Sequence, residues 1–281
     1  MEKLQAALAK AREKRGATLG QGGALDGPGS TRLRSRVVDS DVAALWAELR
    51  PMEVDNVRLT RRRLVAATGG SHATPFDVLR TKVLQLTGPQ GWRRVAVTSP
   101  SPGSGKTTTA ANLALSLARQ VDLRVTLMDM DMRRPALARA LGNREALSVA
   151  SILEGRTRFA DEARRVGDNL AIAMNQGAAR HASDLFLRDR SAKVLDEIEA
   201  TYRPSLMVFD MPPMMVNDDT SAFLRHVDCV LIVAEAGIST VSQIDLCEKE
   251  LAEQTNVLGV VLNKCRSDAD GYGYYDYNSG Y

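Results

Sequence analysis

Residues 99–120 read SPSPGSGKTTTAANLALSLARQ and follow the apolar run 95–97, so glycines, one lysine and hydroxyls stand between a strand and an apolar-periodic helix. These residue types in this order suit a polyphosphate. Gly103 and Gly105 let the backbone curl with successive N–H groups facing inward, and they take positive φ without strain. Lys106 reaches β- and γ-phosphate oxygens, and the Thr107 hydroxyl is placed to ligate Mg²⁺. Pro102, Ser104 and Thr108 complete the candidate phosphate contacts. The helix that follows adds the positive end of its dipole. One letter departs from the strict pattern: Pro100 stands where a glycine is expected, so the loop is entered through a stiffened turn.

Two further stretches carry carboxylates. In VTLMDMDMRRP, residues 125–135, Asp129 and Asp131 alternate with methionines as a strand runs out, so at period two both look to one face. One of them holds Mg²⁺ and the other accepts a proton from an attacking hydroxyl; the spacing alone leaves open which. In LMVFDMPPM, residues 206–214, Asp210 closes an apolar strand and two prolines stiffen the exit. A carboxylate at the end of a buried strand is costly without a cation or donors, which favours metal duty for Asp129 and Asp210. Arg133 is a candidate phosphate clamp. Asn263, ending GVVLNK, offers an amide to a purine edge.

Positioning these groups requires strands and helices in alternation. Short apolar runs at 93–98, 124–129, 170–173, 206–210, 229–234 and 257–263 read as strands. They are separated by helical periodicity at 75–84, 106–117, 135–141, 148–153, 183–202 and 239–254. That pattern predicts an α/β fold with a mostly parallel central sheet flanked by helices, its ligand site at the carboxyl ends of the strands.

Charge is near balance, +3 over 281 residues, which argues against a nucleic-acid surface. No apolar run approaches the ~18 residues of a membrane span. The first residues lack a signal-peptide core, so a cytoplasmic location is expected. Cys229, Cys247 and Cys265 are far apart and read as reduced thiols; His72, His181 and His226 are scattered and read as structural. Residues 2–15 form a marginal helix, 16–30 a glycine-rich linker, and 39–49 a helix ending before Pro51; Arg61, Arg62 and Arg63 make a charged face. The terminus YGYYDYNSGY holds Tyr272, Tyr274, Tyr275, Tyr277 and Tyr281 with no buried-face pattern, so it reads as an exposed tail of candidate phosphoryl acceptors.

The combination of LRT at 79–81, TSPSPGSGKTTTAANLA at 98–114, DMDMRRP at 129–135, DMPP at 210–213, GVVLNK at 259–264 and the tyrosine tail resembles the bacterial tyrosine autokinases (BY-kinases) of capsular and exopolysaccharide systems. The likeness runs over residues 75–281 and is to their free-standing cytoplasmic form. It implies a P-loop NTPase three-layer fold and ATP- and Mg²⁺-dependent phosphorylation of the tail tyrosines of a neighbouring subunit in a ring. It also implies activation by a membrane-embedded chain-length regulator, peripheral association with the inner membrane through that partner, and a role in polysaccharide polymerisation and export. By position, Lys106 and Thr107 match the family's Walker A motif, Asp129 and Asp131 its second Walker motif, and Asp210 its Walker B. The corresponding domains are an extension at 1–70, a kinase domain at 71–266 and the tail at 267–281. Thr74 and Asp77 depart from the family's acidic and basic helix positions, and residues 184–186 match its polar-Glu-Leu-Leu segment only loosely. Two other readings stay open: a MinD/ParA-like positioning ATPase, against which Ser101 stands where the signature lysine belongs, and a nucleotide-binding assembly adaptor.

Overall fold

The computed structural model describes residues 40–179 and 181–265. The predicted helix at 2–15, the linker at 16–30 and the tail with Tyr272, Tyr274, Tyr275, Tyr277 and Tyr281 lie outside the described residues. A compact unit starts at Val42.

Its centre is a sheet of seven strands: β1 (Arg94–Thr98), β2 (Val125–Asp129), β3 (Ala163–Val166), β4 (Leu170–Ala173), β5 (Leu206–Asp210), β6 (Cys229–Glu235) and β7 (Asn256–Asn263). They lie in the order β3-β4-β2-β5-β1-β6-β7. All pairs are parallel except β3 with β4. This is the expected α/β fold, of the P-loop NTPase kind.

Both sheet faces are covered, and the parity of each strand decides which side chain meets which layer. Val95, Val97, Val125, Leu127, Leu206 and Val208 pack with Ala110, Leu113, Ala114 and Leu117 of the helix Lys106–Ala118, here called the loop helix. The intervening Ala96, Met128, Met207 and Phe209 join the opposite layer, with Leu195 and Ile198 of the helix Asp189–Tyr202 and Cys247 and Leu251 of the helix Val241–Ala252. Two positions beyond Leu127 and Val208 come Asp129 and Asp210, so parity sends both carboxylates toward the loop-helix face.

Three local features differ from the sequence reading. Strand β3 escapes the periodicity because its residues are ARRV: an edge strand with two arginines carries little apolar signal. Arg164 on it is buried and bonded to the Glu145 carboxylate. The predicted helix at 183–202 is two helices, Ala182–Phe186 and Asp189–Tyr202. Arg188 between them is extended, at φ −74° and ψ 138°, and the Ser191 hydroxyl donates to the Leu185 carbonyl at 2.6 Å.

The third difference is the domain start. Residues 42–66 contribute Val42, Trp46 and Leu49 to one core layer and Leu59, Leu64 and Ala66 to the other, so the core does not begin at residue 71. Trp46 Nε1 donates to the Tyr202 carbonyl at 2.8 Å. Buried Asn112 of the loop helix donates from Nδ2 to the Arg63 carbonyl at 2.8 Å, and its Oδ1 accepts from the Ala66 N–H at 2.9 Å. Among the described residues no helix is long and apolar enough to cross a membrane.

Candidate functional site

Strand order brings the chemical groups together. β5 lies between β1 and β2, with Asp210 opposite Val97 on one side and Asp129 on the other. The loop leaves β1 one residue past Val97, so the glycine turn, Asp129 and Asp210 converge at adjacent strand ends. A buried bond from the Thr98 hydroxyl to the Pro212 carbonyl, 2.7 Å, ties the start of the loop to the exit of β5.

Within the loop Gly103 and Gly105 have φ of 88° and 90°. Gly105 is required twice over, because a Cβ there would also sit 2.2 Å from Asn263 Nδ2. That amide donates to the Ser104 carbonyl at 2.8 Å. Gly105 precedes the loop helix, which no side chain caps, so its first N–H donors remain for an anion.

Lys106 Nζ donates to Asp131 Oδ2 at 2.8 Å, with both side chains largely buried. Burial works against the ammonium, but Asp210, Asp131 and Asp129 outweigh it and hold the lysine above its ordinary pKa. Asp129 is shifted the other way in charge. Its burial, and then the Asp210 carboxylate beside it, push its pKa well above the usual value, against the Leu137 N–H at 3.3 Å and Lys106. Asp210 is pushed up to about 6, chiefly by burial, with Lys106 and the nearby Thr107 hydroxyl favouring its charged form. Proximity of Thr107 falls short of a well-formed bond: neither Asp210 oxygen has a hydrogen-bond partner, nor has Asp129 Oδ1. Three orphaned oxygens and a threonine hydroxyl are hard donors of the kind Mg²⁺ takes, and Mg²⁺ needs no all-protein cage because it keeps water and phosphate oxygens. Accordingly no cluster of three or more His, Cys, Asp or Glu ligands is required, and none occurs among the described residues.

Two of the predicted site residues are engaged differently. Arg133 donates from Nε and Nη2 to the Asp219 carboxylate, at 2.6 and 3.0 Å, which makes it a tether to the helix Asp219–Phe223. Asn263 uses an amide hydrogen on the Ser104 carbonyl, so it pins the loop. Pro102 and Gly103 are exposed at the loop tip, whereas Ser104 is buried with its hydroxyl donating to the Ser101 carbonyl at 3.0 Å. Sequence reading missed Asn175, whose Nδ2 donates to the Asp129 carbonyl at 2.7 Å while Oδ1 accepts from the Val149 N–H at 2.8 Å. The only signal was a lone asparagine after the apolar run LAIAM. Buried Cys229 and Cys247 are pushed up to about 12 by burial, as inert thiols are.

The CobQ/CobB/MinD/ParA nucleotide binding domain matches residues 95–277. The tyrosine-protein kinase Wzc of Salmonella typhimurium is 28% identical over 186 residues, 64% of this chain and 26% of that protein. The chain thus matches about a quarter of that relative's length. The tyrosine-protein kinase YwqD of Bacillus subtilis is 26% identical over 219 residues, 76% of this chain and 92% of YwqD. The solved kinase domain of the Escherichia coli tyrosine kinase ETK superposes with a TM-score of 0.63 at 26% identity, covering 73% of this chain and 81% of that one. The chain belongs to the CobQ/CobB/MinD/ParA nucleotide binding domain family, and its likeness within that family is to the bacterial tyrosine autokinases.

Proposed function

We propose that the protein is an ATP- and Mg²⁺-dependent protein-tyrosine kinase that phosphorylates Tyr272, Tyr274, Tyr275, Tyr277 and Tyr281 of a neighbouring copy's tail. The observation that carries this reading is the set of buried, unpartnered oxygens on Asp129 and Asp210 beside Lys106, at the mouth of an anion-binding turn. A fold stabilised by that arrangement alone would satisfy or remove them.

Thr107, Asp129 and Asp210 are the residues that hold Mg²⁺, which when bound neutralises the charge on the transferring phosphate. Lys106 leaves Asp131 for the β- and γ-phosphate oxygens. Asp131, at 5% exposure the more accessible of the two aspartates on this stretch, is thereby freed to accept the phenol proton. The phenol oxygen bonds to the γ-phosphorus as the bond to the β–γ bridging oxygen breaks, and ADP leaves. The loop amides and the start of the loop helix hold the phosphates in line. The kinase likeness of the relatives supports the remaining assignments: a ring of copies, a membrane-embedded chain-length regulator as activator, and control of polysaccharide polymerisation and export. The kinase unit on this reading runs to residue 266 and the acceptor tail from 267.

The test is intact-mass and radiolabel analysis of the full chain with γ-labelled ATP and Mg²⁺. Lys106→Met is expected to lower tail phosphorylation by about 10²-fold or more with an unchanged circular dichroism spectrum. A tail with all five tyrosines changed to Phe should keep ATP turnover and lose label. Label retained in Lys106→Met overturns the proposal.

A further inference from the structure

Next to the Asp129 segment a separate cavity of about 350 Å³ is bounded by Arg62, Pro135, Ala138, Arg139, Asn143 and Arg144. Its charge is one-sided. Three guanidinium groups line it, no carboxylate does, and none of the three is in an ion pair among the described residues. Like charges gathered without a counter-ion repel, and a bound anion relieves them.

Arg62 is held in place: it donates to the Arg139 carbonyl at the end of the helix Leu137–Leu141. Gly142, at φ 82°, lets it lie there, since a Cβ would come within 3.3 Å of Arg62 Nη1. Asn143 supplies an independent pointer to a ligand. Its Oδ1 accepts from the Glu145 N–H at 2.8 Å, which fixes the amide's orientation. Its Nδ2 is then buried without any hydrogen-bond partner, a donor awaiting an acceptor. Pro135 and Ala138 give the same cavity an apolar wall.

We propose that this cavity is a binding site for a phosphate monoester dianion, supplied by a phosphorylated tyrosine of the chain's own tail or by free inorganic phosphate. The tail as source rests on the kinase reading above; the anion site does not. Guanidinium groups take phosphate oxygens in paired hydrogen bonds, Asn143 Nδ2 adds a fixed donor, and an aryl ring lies against Pro135 and Ala138. Tyr277 lies twelve residues after Cys265, a reach of at most ~40 Å when extended, against about 19 Å for the four inter-strand spacings from β7 to β2, the strand that ends at Asp129. An occupant also touches the segment that positions Asp129, a Mg²⁺-holding residue on the reading above. Pro135 is two residues from the Leu137 N–H bonded to Asp129, and Asn175, which donates to the Asp129 carbonyl, lines the cavity.

The experiment is calorimetric titration of the full chain at low salt, with a non-hydrolysable ATP analogue and Mg²⁺ saturating the loop. The probes are the hexapeptide DYNSGY synthesised with phosphate on Tyr277, the same peptide unphosphorylated, and inorganic phosphate. Saturable binding of the phosphopeptide but not of its unphosphorylated form is expected. The double variant Arg139→Gln with Arg144→Gln should weaken it about tenfold or more. Asn143→Ala, which removes the donor without adding a charge, should weaken it about threefold or more. Inorganic phosphate binding as tightly as the phosphopeptide supports the anion site and overturns the tail as its source. Equal binding by wild type and both variants, or no binding of either phosphate probe, overturns the site. Because the peptide carries its phosphate from synthesis, a failed kinase assay leaves this result standing.

Discussion

Asp210 and Asp219 are both fully buried, close in sequence, and opposite in circumstance. Asp219 accepts two bonds from Arg133 and one from the Ser183 N–H at 3.1 Å, so its charge is matched on every side the structure offers. Asp210 has Asp129 across the strand pair and no hydrogen-bond partner on either oxygen. Burial is the same; satisfaction is not. A carboxylate that stabilises the fold is surrounded by donors, whereas one left short of donors is kept for something that arrives from solution.

The contrast is broken most forcefully at Asp219. Asp219→Ala leaves the buried Ser183 N–H without its acceptor, while half-exposed Arg133 turns to water and Asp218, and should lower unfolding free energy by about 1–3 kcal/mol. Urea titration measures it; a loss under about 1 kcal/mol would erase the distinction.

Asp210→Asn should act in the reverse sense. Its folded pKa of about 6 against 3.8 unfolded means that the folded state binds the proton more tightly, so the wild type loses stability as pH rises through that window. At pH 7 the nucleotide-free variant should be the more stable by roughly 1–3 kcal/mol, while losing phosphoryl transfer. The stability gap should close as pH falls below 3.8, where the wild-type carboxyl is neutral in both the folded and the unfolded state. A variant less stable than wild type at pH 7 would place Asp210 with Asp219.

Asn263→Ala sharpens the comparison at smaller scale. It removes the bond to the Ser104 carbonyl, so nucleotide affinity should fall by about 3- to 10-fold, near 1 kcal/mol, with little change in unfolding. Equal affinity by equilibrium dialysis would show that the loop holds its shape unaided.

The site was legible in the sequence where chemistry and period coincide. Asp129 and Asp210 follow the parity of Leu127 and Val208, and the glycine–lysine turn follows an apolar strand, so convergence of all three could be read from strand ends. Arg133 could not be assigned that way, because its carboxylate lies far along the chain in Asp219 and no local pattern announces a long-range ion pair. Residues 42–66 were underrated for a related reason. Each of Trp46, Leu49, Leu59 and Leu64 is apolar, but the segments that carry them are short, and only the sheet they cover gives them a core. Strand β3 hid its role behind two arginines, one of which is buried by Glu145.

Asn112 has a mechanical consequence. It sits in the same rigid rod that begins with Lys106, and its amide grips the backbone on either side of Leu64. Any tug that peels residues 63–66 away breaks two bonds of that amide at once, leaving Nδ2 only the Thr108 carbonyl of its own helix, and uncovers Leu59 and Leu64. A protease that nicks the chain near residue 70 would leave residues 63–66 in place, held without a covalent link.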